Sequence, residues 1–181
     1  MKLMHIIALA ASVMLAASCG VLPQGAAATT PMSGGLLNAS SGKNAGSALF
    51  GLYSQYKTDG KLDLSNINNI INLATLASNC QGLKNTTADT GSFLGGLISG
   101  SGKLVNQNNG SLVLEGLKKV ASANLNSINS AASTYAANAA GKAAGAVNAA
   151  ADKAVSTVNA NASGVTSAIT ALSSIFNTFA K

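Results

Sequence analysis

The chain of 181 residues contains no arginine, no tryptophan and a single histidine, His5. Five acidic residues stand against eleven lysines, which gives a formal net charge of +6. With one histidine, the chain has no histidine cluster for zinc, and no histidine remains for a catalytic triad if its first residues are removed. The closest pair of carboxylates, Asp59 and Asp63, stands where one helix is predicted to end and the next to begin. We therefore predict that the protein is not an enzyme and holds no metal or cofactor.

The absence of arginine also limits the partners of this basic chain. The guanidinium group makes the bidentate contacts with bases and phosphates that lysine does not make. The lysines are scattered singly along the chain, apart from the pair Lys118-Lys119. We predict no nucleic-acid binding, and we expect the charge to give weak attraction to anionic lipid or polysaccharide.

The amino-terminal residues have the pattern of a secretion signal. Lys2 supplies the positive charge, residues 3–17 are almost all apolar, and small residues at positions 16–18 lead into Cys19. The apolar stretch of about 15 residues is shorter than the ~20 that a membrane-spanning helix needs. An ordinary secretory signal that is cut at residues 26–28 is the alternative.

The residues before Cys19 resemble the lipobox of bacterial lipoproteins, in which signal peptidase II cuts before a cysteine that then carries fatty acyl chains. The lipobox usually has leucine three residues before the cysteine, where this chain has Ala16, with Leu15 one position earlier. The abundant asparagine and the lack of an acidic stretch after Cys19 resemble lipoproteins of Bacteroidota-like bacteria, without a family motif. The resemblance implies lipidation at Cys19, loss of the signal peptide 1–18, and a place in the bacterial cell envelope, on the outer membrane facing the periplasm.

The second cysteine, Cys80, has no partner for an intramolecular disulfide if Cys19 is lipidated. It falls on the apolar side of a predicted helix, so we interpret it as a small buried residue. An intermolecular disulfide or a reactive thiol is the alternative.

The composition divides the rest of the chain into three parts. Residues 19–43 are rich in glycine, alanine, serine, threonine and proline, and they are predicted to be a lipidated flexible tether with a reach of about 25 Å. Residues 44–110 carry apolar residues at helical spacing and are predicted to form a unit of three short helices. In this unit Asp63 is the predicted N-cap of the second helix and Gly82 its C-terminal cap.

Residues 111–181 form an Ala-rich segment that contains no proline and that predicts either one long amphipathic helix or a helical hairpin. The predicted break is at residues 159–164, where asparagine and glycine concentrate, or at residues 141–145. The fold class predicted for the whole chain is all-α. The apolar stripe of this segment advances by three or four residues at every step: Leu125, Ile128, Ala132, Tyr135, Ala139, Ala143, Val147, Ala151, Val155, Val158, Ala162, Val165, Ile169, Leu172, Phe176 and Phe179.

Two motifs suggest sites but have simpler interpretations. The residues around Asp59 and Asp63 resemble half of an EF-hand calcium loop, yet the first and last ligands are missing, so a capped turn is favoured. Gly91-Ser-Phe-Leu-Gly95 and Gly96-Leu-Ile-Ser-Gly100 have the spacing of close helix contacts in membranes, and close packing inside a helical bundle is the favoured interpretation.

Two functions remain open from the sequence. The first is a lipid-anchored envelope protein with a non-catalytic structural or interaction role, with a protein partner or self-association through the C-terminal helix. The second is an amphipathic helix that binds lipid or another hydrophobic surface, with Phe176 and Phe179 beside Ile169 and Leu172 as the insertion face.

Overall fold

The computed structural model describes residues 37–85, 90–139, 144–160 and 162–179. Within these ranges the regular structure consists of seven α-helices and one short 3-10 turn, with no strand, so the predicted all-α fold is confirmed. The elements are α1 (Ala39–Asp59), α2 (Ile67–Cys80), the 3-10 turn (Gln81–Lys84), α3 (Gly91–Gly100), α4 (Gly110–Ser122), α5 (Asn126–Ala139), α6 (Ala144–Asn159) and α7 (Ala162–Phe179).

Helix α1 begins at Ala39, earlier than the apolar spacing from Asn44 predicts. Asn38 and Ser41 form a capping box: the Ser41 amide donates to Asn38 Oδ1 at 2.8 Å, and the Asn38 amide donates to Ser41 Oγ at 3.0 Å. Such a box supplies partners for amides that a helix start leaves unpaired. The cap therefore extends the helix into residues whose composition indicates a tether.

Helix α2 begins later than predicted, and the prediction that Asp63 is its N-cap is wrong. Its N-cap is Asn66, whose Oδ1 accepts a hydrogen bond from the Asn68 amide at 3.0 Å. Asp63 instead organises the preceding turn through its side-chain bonds to Ser65. Both aspartate and asparagine suit an N-cap, and the turn around Asp63 decides between them.

The prediction that Gly82 caps the end of α2 is also wrong. Helix α2 ends at Cys80, and the following Gln81 keeps right-handed helical angles, with φ −54° and ψ −38°. The chain tightens into the 3-10 turn, in which Gly82 is buried. A 3-10 turn can satisfy the last carbonyls of a helix without a left-handed residue.

Helices α1 and α3 meet backbone to backbone through glycines on both sides. A Cβ at Gly46 would lie 2.5 Å from the carbonyl oxygen of Leu97, and a Cβ at Gly42, Gly96 or Gly100 would overlap backbone atoms of the facing helix. Glycines four residues apart allow this approach because they remove the side chains between two helices. The interpretation as a packing motif inside the bundle is confirmed for Gly96 and Gly100 and is wrong for Gly95, where a Cβ would meet nothing within 4 Å. The counterparts Gly42 and Gly46 were not predicted.

Helix α2 lies in the centre of the molecule and packs against α1, α4, α5 and α6. Its side chains Ile70, Leu73 and Leu76 are at most 1% exposed. One hydrophobic cluster joins α2 to residues of both the predicted 44–110 unit and the predicted 111–181 segment. The two stretches that composition separates thus share a single core.

The C-terminal segment is divided into four helices. Helix α5 ends at Ala139 and α6 begins at Ala144, while α6 ends at Asn159 and α7 begins at Ala162, so helix boundaries fall at both predicted places. A further break follows Ser122, where Ala123 has extended angles, and this break was not predicted. Helices α5 and α6 pack together as a helical hairpin, whereas α7 packs mainly on α4.

The apolar stripe predicted for this segment agrees with the structure at Ile128 and Tyr135 of α5 and at Val165, Leu172 and Phe176 of α7. At several other positions the buried residue is the one before the stripe position: Ala131 and Ala168 are buried, while Ala132 and Ile169 are half-buried. Ala150 and Ala154 of α6 are buried, while the neighbouring stripe residues Ala151 and Val155 are half-buried. Alanine occupies many positions around α6, so the pattern of apolar residues does not select one face. The packing against α5 makes that selection.

The glycine contact between α1 and α3 predicts opposite effects for two neighbouring glycines. Gly96→Ala should destabilise the protein by about 1–3 kcal/mol, because the new methyl group meets the backbone of α1. Gly95→Ala should be neutral or stabilising by up to about 1 kcal/mol, because nothing lies within 4 Å of its Cβ position and alanine favours a helix.

Urea denaturation followed by circular dichroism at 222 nm measures both variants. Equal stability changes for Gly95→Ala and Gly96→Ala would contradict the close contact.

Candidate functional site

The predicted lipidation site, Cys19, lies outside the described residues. The described chain begins at Leu37 and enters α1 through the capped residue Asn38. Leu37 is partly buried against the hydrophobic core. The point at which the chain leaves the core towards Cys19 is therefore fixed at the start of α1.

The turn around Asp59 and Asp63, the candidate calcium loop, is held by its own hydrogen bonds. Gly60 ends α1 with left-handed angles, at φ 70°, and its amide donates to the Tyr56 carbonyl. Asp63 Oδ1 accepts from the Ser65 amide at 2.9 Å and from Ser65 Oγ at 2.6 Å. These bonds lower the pKa of Asp63 below its ordinary value, with Lys61 as a smaller contribution.

Beneath this turn, the fully buried Asn69 donates from Nδ2 to the Asp63 carbonyl at 2.8 Å. Within the ranges that the structure describes, no three His, Cys, Asp or Glu side chains come together as a metal site. The geometry is that of a capped turn between two helices.

Cys80 lies at the end of α2 and is fully buried. Removal of the thiol from water disfavours the thiolate, and burial raises the pKa of Cys80 far above its ordinary value. A thiol of this kind is chemically inert in the folded protein. The position agrees with the interpretation of Cys80 as a buried hydrophobic residue.

The aromatic residues near the end of α7 join the first helix to the last. Tyr53 of α1 lies with its ring centroid 5.6 Å from that of Phe176 and 5.3 Å from that of Phe179. Tyr56, one turn further along α1, is 5.0 Å from Phe176. Ring pairs at these distances stabilise a contact by about 0.5–1.5 kcal/mol beyond the burial of their area.

The proposed insertion face of α7 is therefore occupied within the molecule. Leu172 is fully buried and Phe176 is 1% exposed, while Ile169 and Phe179 are partly buried against the same core. Helix α7 also packs on α4, where Ile175 covers Gly116. This face could reach a lipid surface only if α7 left the core.

A small cavity lies between the end of α2 and the start of α5. Its volume is about 40 Å³, on the order of one or two water molecules and too small for an organic ligand. Asn129 Oδ1 is buried here without a hydrogen-bond partner in the described part of the chain. The residues that line the cavity are Ala77, Gln81, Lys84, Ala121, Ala123, Leu125, Asn126 and Asn129.

The surface with the clearest mixture of apolar and charged groups is on α1. Phe50 is 45% exposed, although α1 buries Leu49 and Leu52 on its other side. Exposed residues recur along the helix at steps of four and three, which places them on one face. We call this surface the Phe50 face; on α1 it consists of Lys43, Ser47, Phe50, Ser54 and Lys57.

The turn after α3 completes the Phe50 face. Ser47 Oγ donates to the Gly100 carbonyl at 3.4 Å, and a Cβ at Gly102 would lie 3.0 Å from the ring of Phe50. The next residue, Lys103, is exposed and has left-handed angles at φ 75°. Lys103 therefore extends from the backbone segment on which the Phe50 ring rests.

Buried polar groups fix the shape of this turn. The fully buried Ser101 accepts a hydrogen bond from the Val105 amide through Oγ at 3.0 Å and donates to the Ile98 carbonyl at 3.2 Å. Asn109 donates from Nδ2 to the Leu104 carbonyl at 2.9 Å. The position of Lys103 beside Phe50 thus follows from a hydrogen-bonded turn.

The Phe50 face was not predicted from the sequence. The apolar spacing of α1 selects Ala45, Leu49, Leu52 and Tyr56 as the buried side, and Phe50 falls outside that spacing. A helical projection of α1 would have placed Phe50 between Lys43 and Lys57. The neighbouring Lys103 is brought there by tertiary packing and has no such signal.

Comparison of the chain with protein-family models, with curated proteins and with solved structures gives no match.

Burial predicts that the Cys80 thiol is unreactive in the folded protein. A thiol reagent at pH 8 should modify it only after unfolding in urea, since the buried thiol is protonated and shielded from the reagent. The Cys80→Ala variant retains Cys19 as its single cysteine, so it measures any reaction there. The difference in modification between the wild type and this variant is the reaction of Cys80. Rapid modification of the native wild-type protein alone would contradict the buried position.

The raised pKa of Cys80 also predicts a pH dependence of stability. Above about pH 8.5 the unfolded chain releases the thiol proton while the folded protein keeps it, so stability falls as pH rises, by up to about 1.4 kcal/mol per pH unit. Urea denaturation between pH 7 and pH 10 should show this decline in the wild type, and Cys80→Ala should lack the part that the thiol contributes. The same dependence of stability on pH in the wild type and in Cys80→Ala would contradict the raised pKa of Cys80.

Proposed function

We propose that this chain is a lipid-anchored protein of the bacterial cell envelope, attached through Cys19 to the outer membrane and facing the periplasm. Its helical part has a non-catalytic role, as a structural or interaction module. The observation that carries the proposal is the amino-terminal pattern: a lysine, an apolar stretch and small residues that lead directly into Cys19.

The position of the helical domain in the chain supports this proposal. In the described ranges the first helix begins at Ala39, and residues 19–38 precede it as part of the predicted tether. None of the helices in the described ranges has the length and hydropathy of a membrane span. Attachment through two or more acyl chains is stable, because each buried methylene contributes about 0.8 kcal/mol.

The non-catalytic role is supported by the side chains available after the predicted cleavage. Residues 19–181 include no histidine and no arginine, and their carboxylates are only Asp59, Asp63, Asp89, Glu115 and Asp152. Of these, Asp63 is committed to the turn before α2 by its bonds to Ser65. The alternative function, lipid binding through α7, gains no support from the packing of Phe176 and Leu172 in the core.

Metabolic labelling with a fatty acid that carries an alkyne tests the anchor. In a bacterial host, the wild-type protein should incorporate the label and sediment with membranes. Cys19→Ala should lose the label, because no other residue can form the thioether at the cleavage site. Cys80→Ala is the matched control and should keep the label, since Cys80 is buried in the folded domain.

Mass spectrometry of the purified protein identifies the modified residue. An acylated cysteine at the new amino terminus is expected. An unmodified Cys19, or a chain that begins after residues 26–28, would refute the anchor.

A further inference from the structure

We propose that the Phe50 face docks on the surface of a bilayer that contains anionic lipids. The ring of Phe50 would lie at the headgroup boundary, with the ammonium groups of Lys43, Lys57 and Lys103 over lipid phosphates. This proposal rests on the proposed lipid anchor, and it identifies the surface that the helical domain turns towards the membrane.

The first observation is the place of Phe50 among its neighbours. Large hydrophobic side chains in the described part of the chain are mostly buried, whereas Phe50 is 45% exposed in the middle of a 21-residue helix. Lys43 and Lys57 lie two helical turns to either side, about 10 Å away along the axis. Such a ring can bury apolar area at the headgroup boundary while the flanking lysines attract anionic lipids.

The second observation is the sign of the charge on this surface. The exposed positions of α1 that share a face with Phe50 carry lysine and serine, and the adjoining turn adds Lys103. Asp59 is nine residues from Phe50, or two and a half turns, and therefore lies on the opposite side of the helix. The face complements an anionic surface, and each lysine near such a surface increases binding about fivefold.

The third observation is that the anchor and the Phe50 face lie at the same end of the chain. Between Cys19 and Asn38 the predicted tether reaches about 25 Å, and Phe50 lies about 17 Å along α1 from Ala39. The anchor would hold the face at a high effective concentration near the lipid, so a weak interaction is sufficient for docking.

The other exposed apolar side chain lacks these features. Leu112 of α4 is 62% exposed, but Glu115 lies one turn away on the same side of the helix and is exposed as well. Glu115 is ion-paired with Lys118 at 2.7 Å, so with the exposed Lys119 the surface around Leu112 carries one net positive charge, against three on the Phe50 face. Leu112 is therefore a matched control position for Phe50.

The chain contains no tryptophan, so Phe50→Trp introduces a single tryptophan into the docking surface, and its emission can be excited separately from that of the three tyrosines. The lipidated protein carrying this change is reconstituted in vesicles of phosphatidylcholine alone or with phosphatidylglycerol. In the presence of phosphatidylglycerol we expect emission at shorter wavelength and quenching by brominated lipids. Leu112→Trp should show neither effect in either kind of vesicle.

Charge reversal then tests the lysines. In the Phe50→Trp background, Lys43→Glu, Lys57→Glu and Lys103→Glu together should lower the docking constant by about 100-fold or more. The control is a second triple variant with the same change in net charge at exposed positions elsewhere: Lys84→Glu, Lys119→Glu and Lys153→Glu. This control should lower the docking constant much less. Circular dichroism confirms that both triple variants remain folded.

Four results would overturn the proposal: no emission change in anionic vesicles, equal changes in both kinds of vesicle, equal changes for Leu112→Trp, or equal effects of the two triple variants. A comparable emission change with dextran sulfate in place of vesicles would also overturn it, by reassigning the face to acidic polymers. The mass of the same sample shows whether Cys19 is lipidated. If the anchor fails, protein added to the vesicles from solution should still dock, so the two proposals are tested separately.

Discussion

The structure depends on a contact between two helix backbones. Where α1 crosses α3, Gly42 and Gly46 face Gly96 and Gly100, and no side chain separates the two helices. This approach brings Leu49 and Leu52 of α1 into the same core as Phe93 and Leu97 of α3, all of them at most 1% exposed. It also places the turn after α3 under the ring of Phe50. The contact between α1 and α3 thus forms part of the core and also shapes the surface proposed to dock on lipid.

The aromatic side chains of α1 have two different positions, one in the contact with α7 and one on the surface. Tyr53, Tyr56, Phe176 and Phe179 join the first helix to the last, and this joint keeps α7 in the core. Phe50, on the same helix as the two tyrosines, faces outwards between lysines. We therefore propose α1, and not α7, as the element that meets a lipid surface, because the apolar face of α7 is buried in the core.

Predictions from sequence succeeded where a residue has one dominant local effect. Gly60 follows the end of α1 with left-handed angles, and the bounds of the last three helices fall near the predicted residues 141–145 and 159–164. Predictions from sequence failed where several residues suit the same structural position. Asp63 and Asn66 both suit an N-cap, and the alanines of α6 offer several equivalent faces. The break after Ser122 was not predicted because the apolar stripe begins at Leu125 and carries no signal at Ala123.

The sequence by itself determined the all-α class, the end of α1 and the approximate limits of the last three helices, because each of these follows from neighbouring residues. It also carries the amino-terminal pattern from which lipidation at Cys19 is proposed. Only the tertiary structure decided which faces are buried, that Cys80 is inert, and that Lys103 lies beside Phe50. These properties depend on contacts between residues distant in the chain, such as Gly46 with Leu97. Local spacing fixes a helix, whereas the partner of each helix is chosen by how closely two surfaces can pack.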